Sequence, residues 1–279
     1  MNIIRTLAEL ETTLKAVRNQ GGTIGLVPTM GALHMGHISL VNRALQENQS
    51  VITSIFVNPA QFNDKKDLEK YPRTPEADIR LLEQAGCHYA FLPEAEEMIP
   101  GDTYPVMDFG TLETVMEGAF RPGHFKGMAM IVSRFFDLVK PDKAYFGEKD
   151  FQQLAIIREM NRRNGGPVEV IGCATVREPD GLAMSSRNIH LTPEEREASP
   201  VIYNSLLAAA EMIRESSVHE TAAMVKDNIE SGGLFKVQYF EMVDSDTLQP
   251  VTGWDPYHAQ RACIAVITSK TRLIDNIAL

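Results

Sequence analysis

The sequence predicts an α/β protein, a doubly wound parallel sheet followed by a second, smaller α+β domain. Short and almost wholly apolar runs, such as residues 23–27 and 51–57, suit parallel strands covered on both faces. Between such runs lie amphipathic segments with helix start and stop signals, and strands alternating with helices imply βαβ units. From about Thr175 the rhythm changes to two helices followed by runs that alternate as antiparallel strands do. The reading therefore divides the chain into residues 1–174 and 175–279.

Met1 to Arg5 is read as leading straight into the first helix. Thr6-Leu7-Ala8-Glu9 has the form of a capping box, Leu7, Leu10, Leu14 and Val17 share one face, and Gly21-Gly22 stops the helix. A strand is predicted over 23–27, a helix through 39–45, and a strand over 51–57. Then come a helix over 75–86 with Pro75 in its first turn, a strand over 88–92, a helix over 128–140 and a strand over 143–146. Asp150 is placed as the cap of a helix running through Arg163, and 167–173 as the next strand. In the second domain Thr192-Pro193-Glu194-Glu195 opens one long helix to about 215, a second covers 219–231, and strands cover 235–243 and 260–269.

The chain's 279 residues suffice for a core in each domain, and its 44% hydrophobic and 23% charged residues are ordinary for a folded protein. A formal charge of −10 opposes a nucleic-acid partner, which needs a basic surface. Cys87, Cys173 and Cys263 form no C-x-x-C pair, so they are read as idle thiols in a reducing compartment. The amino terminus lacks an apolar signal core and no run has the length of a membrane span. The expectation is a cytoplasmic protein with no membrane partner.

Chemistry concentrates where predicted strands end. Pro28-Thr29-Met30-Gly31-Ala32-Leu33-His34-Met35-Gly36-His37 follows the first apolar run and joins a buried strand to a helix. Such a turn offers uncapped N–H groups and the positive end of a helix dipole to phosphate. Gly31 and Gly36 admit close backbone approach and positive φ. His34 and His37, one helical turn apart, add donors that can follow charge onto a leaving pyrophosphate, which points to an ATP-using enzyme. A metal site is the competing reading, but no Glu makes an H-E-x-x-H motif.

Phe56-Val57-Asn58-Pro59-Ala60-Gln61-Phe62 brings the amides of Asn58 and Gln61 to the same expected sheet edge, where they can bond hydroxyls and carboxylates. Phe146-Gly147-Glu148-Lys149-Asp150-Phe151-Gln152-Gln153 repeats the strand, glycine and helix design, with Lys149 as a mobile charge for phosphate. Met184-Ser185-Ser186-Arg187 is read as a loop with two hydroxyls and a guanidinium, a clamp for a phosphate that gains charge during reaction. Arg121 is a fixed cation in Phe120-Arg121-Pro122-Gly123-His124-Phe125, and its role is not resolved by spacing. Asp64, Asp67, Glu76 and Asp78 form a charged region in which a carboxylate can help to hold magnesium.

Together with Tyr71-Pro72-Arg73-Thr74 and Asn188, these segments resemble the pantoate–β-alanine ligase family, in order and over nearly the whole chain. The resemblance implies a Rossmann-like first domain carrying most of the site, a smaller second domain covering it, and a homodimer. It further implies that pantoate attacks the α-phosphorus of ATP to give pantoyl adenylate and pyrophosphate. β-Alanine then displaces AMP, and Mg2+ accompanies the triphosphate. Carried over by position, Met30 to His37, Gly147 to Asp150, the Val176 backbone and Met184 to Arg187 surround ATP. Gln61 and Gln153 hold pantoate with Asn58 beside them, and Asp78 is the metal residue. His34, His37, Lys149, Ser185, Ser186 and Arg187 carry the catalytic roles, with His37 the donor to the departing group.

Two positions depart from the family pattern. Ala77 removes one carboxylate of an acidic pair found in some members, and Glu148 stands where Gln is frequent. The rivals are a nucleotidylyltransferase, which favours cations rather than amides in the acceptor pocket, and a nucleotide sensor, which needs no complete set of phosphate-stabilising side chains.

Overall fold

The computed structural model describes residues 1–62, 68, 69, 71–99 and 107–279. Strands β1 (Asn2–Ile4), β2 (Ile24–Thr29), β3 (Ser50–Ile55), β4 (Tyr89–Phe91), β5 (Lys143–Gly147) and β6 (Glu169–Cys173) form one parallel sheet. Their order is β1-β4-β3-β2-β5-β6. From β2 the chain winds through β3 to β4, then crosses back to β5 and on to β6. The winding therefore reverses between β2 and β5, and ligands of doubly wound sheets bind beyond the carboxyl ends of strands at such a reversal. His34 and His37 follow β2, and Gly147 and Glu148 close or follow β5.

Burial explains the apolar runs. Leu26 and Val27 of β2 are fully buried, and Val27 shares a core with Val41 and Ala44 of the Met35–Glu47 helix and with Tyr145 of β5. The far end of that helix is pinned to the sheet. Asn48 Nδ2 donates to Ala44 O at 2.9 Å and to the Tyr145 hydroxyl at 2.7 Å, and that hydroxyl donates to Glu47 Oε2 at 3.0 Å. A Cβ on Gly25 would lie 2.6 Å from Asn48 Nδ2, so this contact requires glycine. The helix whose first turn carries the histidines is thus fixed at its other end by a buried amide.

Two compact units divide the chain. The first comprises Met1–Phe109, Arg121–Glu148 and Gln153–Ala174; the second comprises Gly110–Phe120, Lys149–Gln152 and Thr175–Leu279. In the second, β7 (Lys236–Asp244), β8 (Gln260–Ile267) and β9 (Arg272–Ala278) make an antiparallel sheet in that order. Ile202, Leu206 and Ala209 of the Pro200–Met212 helix and Val225 and Ile229 of the Val218–Glu230 helix share its core with Met242, Ile264 and Leu273. In the same unit Glu117, Arg272 and Tyr239 form a buried cluster: Arg272 Nη1 donates to Glu117 Oε2 at 2.6 Å and the Tyr239 hydroxyl to Oε1 at 2.8 Å.

The structure differs from the sequence reading in several elements. Residues 2–4 are an edge strand, too short to show an alternation. The helix expected as one piece from Pro193 breaks at Ser199, because Pro200 has no N–H for the helical ladder and starts a new helix at its own first position. Strand β9 is an addition to the expected elements, since Asp275 and Asn276 at its centre have low strand propensity. The Thr6 and Glu9 capping box is present, with Glu9 N donating to Thr6 Oγ1 at 3.2 Å. Among the described residues, no helix is long and apolar enough to cross a membrane.

All three cysteines are free, and burial raises the thiols of Cys87 and Cys173 above their ordinary range and pushes Cys263 to about 12. Only a thiolate is an effective nucleophile. The native protein is therefore expected to resist iodoacetamide at mildly alkaline pH, with all three cysteines alkylated once it is denatured. Rapid labelling of Cys263 in the native state contradicts this packing.

Candidate active site

The turn after β2 is built around one buried carboxylate. Gly31 and Ala32 both have positive φ, +79° and +49°. A side chain in this region is strained by roughly 1–2 kcal/mol, so Ala32 needs compensation. Asp78, only 1% exposed, supplies it: Oδ2 accepts from Ala32 N at 3.0 Å and Oδ1 from Leu33 N at 2.8 Å. Thr74 Oγ1 also donates to Oδ1, at 3.1 Å. At Gly31 a Cβ would stand 3.0 Å from Asp78 Oδ2, so only glycine lets the loop settle on the carboxylate without displacing it. Gly36, which tolerates a positive φ, lies inside the first helical turn.

Asp78, expected as the metal residue, is thus engaged with the turn. Both of its oxygens already accept protein hydrogen bonds, and its work is to hold the loop. Among the described residues no group of three or more His, Cys, Asp and Glu can hold a metal ion. Asp64 and Asp67 lie outside the described residues. The sequence did carry a sign of the structural role, because Asp78 shares the buried helix face of Leu82.

The Met35–Glu47 helix begins in an unusual way, since its N-cap is His34 rather than Ser, Thr, Asp or Asn. Gly36 N donates to His34 Nδ1 at 3.1 Å, while His34 N donates to His37 Nδ1 at 3.3 Å. The two imidazoles thus form a capping box, their ring centroids 4.1 Å apart. A nitrogen that accepts an N–H carries no proton, so each neutral ring bears its proton on Nε2. The backbone consequently converts both side chains into N–H donors at the positive end of a helix.

After β3, a second network orients Gln61. Asn58 Oδ1 accepts from Ala60 N at 3.1 Å, which identifies the opposite end of its amide as Nδ2. That Nδ2 donates to Gly127 O at 3.0 Å and Gln61 Oε1 at 3.1 Å. Gln61 must therefore turn its Nε2 donor the other way, toward Met30 Sδ. Asn58, expected among the substrate-binding residues, spends its amide inside the protein and serves to aim Gln61.

Three residues that the sequence reading left without a role, Gly127, Arg121 and His124, support this turn. A Cβ at Gly127 would fall 2.0 Å from Ala60 O, so glycine lets the His124–Val139 helix meet the Pro59–Gln61 turn backbone to backbone. The Arg121 guanidinium, which can only donate, lies 3.2 Å from His124 Nε2. His124 therefore carries its proton on Nδ1, which donates to Gln61 O at 2.7 Å.

At the end of β5, residues Glu148–Asp150 form a 3-10 turn that runs directly into the Phe151–Arg163 helix. Asp150, read as the helix cap, is the last residue of this turn and directly precedes Phe151 at the helix start. Glu148 Oε1 lies 3.2 Å from where a Cβ on Gly172 would stand, which places its carboxylate beside β6. Gln153 is half-buried in the first turn of the helix.

In the second unit, Arg177 and Ala183 pair across an antiparallel bridge, and Met184 N donates to Val176 O at 3.0 Å. The carbonyl of Val176 thus closes a small hairpin. Ser185 then caps a 3-10 turn over Ser186–His190, accepting from Arg187 N at 3.2 Å. Met184 to Arg187 thus lead from the hairpin into this turn.

Asp78→Asn keeps the shape of the carboxylate but turns a donor toward one of the loop N–H groups. A buried N–H left without an acceptor costs about 1–3 kcal/mol. The variant is expected to unfold at correspondingly lower urea, and an unchanged midpoint contradicts the assignment.

A family model described as pantoate-beta-alanine ligase matches residues 2–278. Pantothenate synthetase of Bacteroides thetaiotaomicron is 52% identical over 277 residues, covering 99% of this chain and 98% of that one. The crystal structure of pantothenate synthetase from Thermus thermophilus superposes with a TM-score of 0.92 at 44% identity, covering 99% of each chain. Pantoate-beta-alanine ligase from Francisella tularensis, complexed with beta-gamma ATP and beta-alanine, gives 0.81 at 33% identity, covering 99% of this chain and 97% of that one. With motif order, sheet topology and whole-length similarity in agreement, the chain belongs to the pantoate–β-alanine ligase family.

Proposed function

We propose that the residues described above divide between them the family's reaction, the ATP-dependent condensation of pantoate with β-alanine to pantothenate. In the first half-reaction a pantoate carboxylate oxygen attacks the α-phosphorus of ATP and the bond to the pyrophosphate oxygen breaks. In the second, the amine nitrogen of β-alanine attacks the acyl carbon of pantoyl adenylate and AMP departs with the electron pair.

The observation that carries the assignment is the double use of Nδ1 at the start of the Met35–Glu47 helix. With Nδ1 accepting from the backbone, Nε2–H of His34 and His37 are the proposed donors for phosphate oxygens, and charge that grows on departing pyrophosphate strengthens those bonds in the transition state. Met30 to His37 and Gly147 to Asp150 are the proposed ATP residues at the ends of β2 and β5. From the second unit, Lys149, Ser185, Ser186 and Arg187 are proposed to stabilise charge on the transferring phosphoryl group, with Val176 and Met184 contributing to nucleotide binding. Lys149 is the point charge of this set and Arg187 its planar fork.

Gln61 is proposed to donate from Nε2 to pantoate and later to meet β-alanine, while Gln153 is the second pantoate amide. Asn58 enters only through Gln61. Magnesium is proposed to accompany the triphosphate, with Asp78 the carboxylate that the family pattern assigns to it. The homodimer implied by the resemblance remains part of this proposal.

The experiment is exchange of labelled pyrophosphate into ATP with pantoate present and β-alanine withheld. The wild type is expected to exchange, because adenylation precedes amine attack. Loss of one donor to developing charge costs roughly 10²–10³-fold in rate. His37→Ala is expected to lose exchange on that scale with its fold intact. Normal ligation without exchange overturns the two-step reading, and near-normal exchange by folded His37→Ala removes that side chain from the chemistry.

A further inference from the structure

The two segments of the second unit that carry the proposed phosphoryl-stabilising side chains are Lys149 and the hairpin leading to Ser185. They are far apart in sequence, yet both are tied to the same two adjacent residues of β9. Asn276 Nδ2 donates to Lys149 O at 2.9 Å. Arg177, at the base of the hairpin, donates from Nη1 to Asp275 Oδ2 at 2.6 Å and from Nη2 to Asp275 Oδ1 at 3.0 Å. Asp275 and Asn276 are each only 4% exposed. Such residues in mid-strand are costly unless their polar groups are satisfied, and here that satisfaction is supplied by these two segments.

Each tie is itself held in orientation. Arg261 Nη1 donates to Asn276 Oδ1 at 2.5 Å, so the amide nitrogen faces Lys149. The Arg261 guanidinium lies 4.1 Å from the ring centre of Phe151, two residues beyond Lys149, so Arg261 holds the start of the helix that follows the turn as well. Asn276 N donates to Asp275 Oδ1 at 2.8 Å and thereby couples the two side chains. Arg177 also donates to Gly181 O at 3.1 Å and lies 3.6 Å over the Tyr203 ring, so its bidentate pair with Asp275 locks the hairpin as well as the strand. Lys149, Ser185 and Asp275 line one small cavity with Leu182, Ala183 and Leu273.

We propose that Asp275 and Asn276 are positioning residues that hold Lys149 and the Ser185 hairpin in one fixed spacing. The proposal rests on the catalytic reading of Lys149 and Ser185 given above. A fixed spacing matters because phosphoryl transfer depends on preorganised donors, and small displacements of such groups lower the rate without abolishing binding. Neither side chain needs to touch ATP or pantoate.

The test is single-turnover adenylation by Asn276→Ala and Asn276→Asp, each made in the wild-type chain and in Lys149→Ala. Asn276→Asp retains an oxygen toward Arg261 and removes the donor to Lys149, so it reports the same tie if the alanine variant does not fold. In the wild-type chain either substitution is expected to lower the adenylation rate by about tenfold while changing the pantoate KM by less than about twofold. In Lys149→Ala the same substitution is expected to cost less than about twofold more, because residues acting as a unit are not additive. Equal losses in both backgrounds, or no loss in the wild-type chain, overturn the positioning role. A wild type that fails to exchange pyrophosphate overturns instead the functional reading beneath it, and the two failures are told apart by that control.

Discussion

Two backbone N–H groups at the start of the Met35–Glu47 helix, those of His34 and Gly36, end on imidazole Nδ1 atoms. An ordinary Ser or Asp cap satisfies the same groups and presents nothing further. Histidine satisfies them and keeps a second nitrogen, so capping and donor placement become one requirement. The remaining features of the first unit's site preserve this arrangement. Asn48, Tyr145 and Gly25 fix the far end of the helix, and Asp78 fixes the turn before it.

The strain at Ala32 and the burial of Asp78 are two halves of one device. A left-handed alanine and a buried carboxylate are each unfavourable alone, and here each is relieved by the hydrogen bonds between them. The same economy appears around Gln61, whose donor is aimed by Asn58 and whose backbone is held by His124. In the second unit, the bonds from Arg177 and Asn276 satisfy polar groups that strand β9 otherwise buries. In all three places a polar side chain that touches no proposed substrate fixes the direction of a neighbouring segment.

Local chemistry is legible in the sequence. The apolar strand, Gly31 and the paired histidines lie within one short segment, and their combined meaning follows from helix termini and donor geometry. The sheet is legible for a similar reason, since each buried strand carries its own apolar run. What stays hidden depends on residues that meet only after folding. Asn58 reads as a substrate amide until Gly127 O is found to occupy it, and nothing local shows that Asp78 accepts from the Ala32 and Leu33 amides. Strand β9 is obscured because its central polar pair contradicts local propensity and is stabilised by distant partners. The break before Pro200, by contrast, has a local sign in the missing N–H of that residue, which a single long helix from Pro193 ignores.

The central claim is that backbone capping fixes the tautomer of both histidines. Nitrogen-15 correlation spectra of the imidazole rings, recorded above neutral pH without nucleotide, test it directly. The account predicts that His34 and His37 each show the signature of an Nε2–H ring with an unprotonated Nδ1. Nδ1–H signals from either ring would break the capping bonds described here and contradict the proposed donor pair.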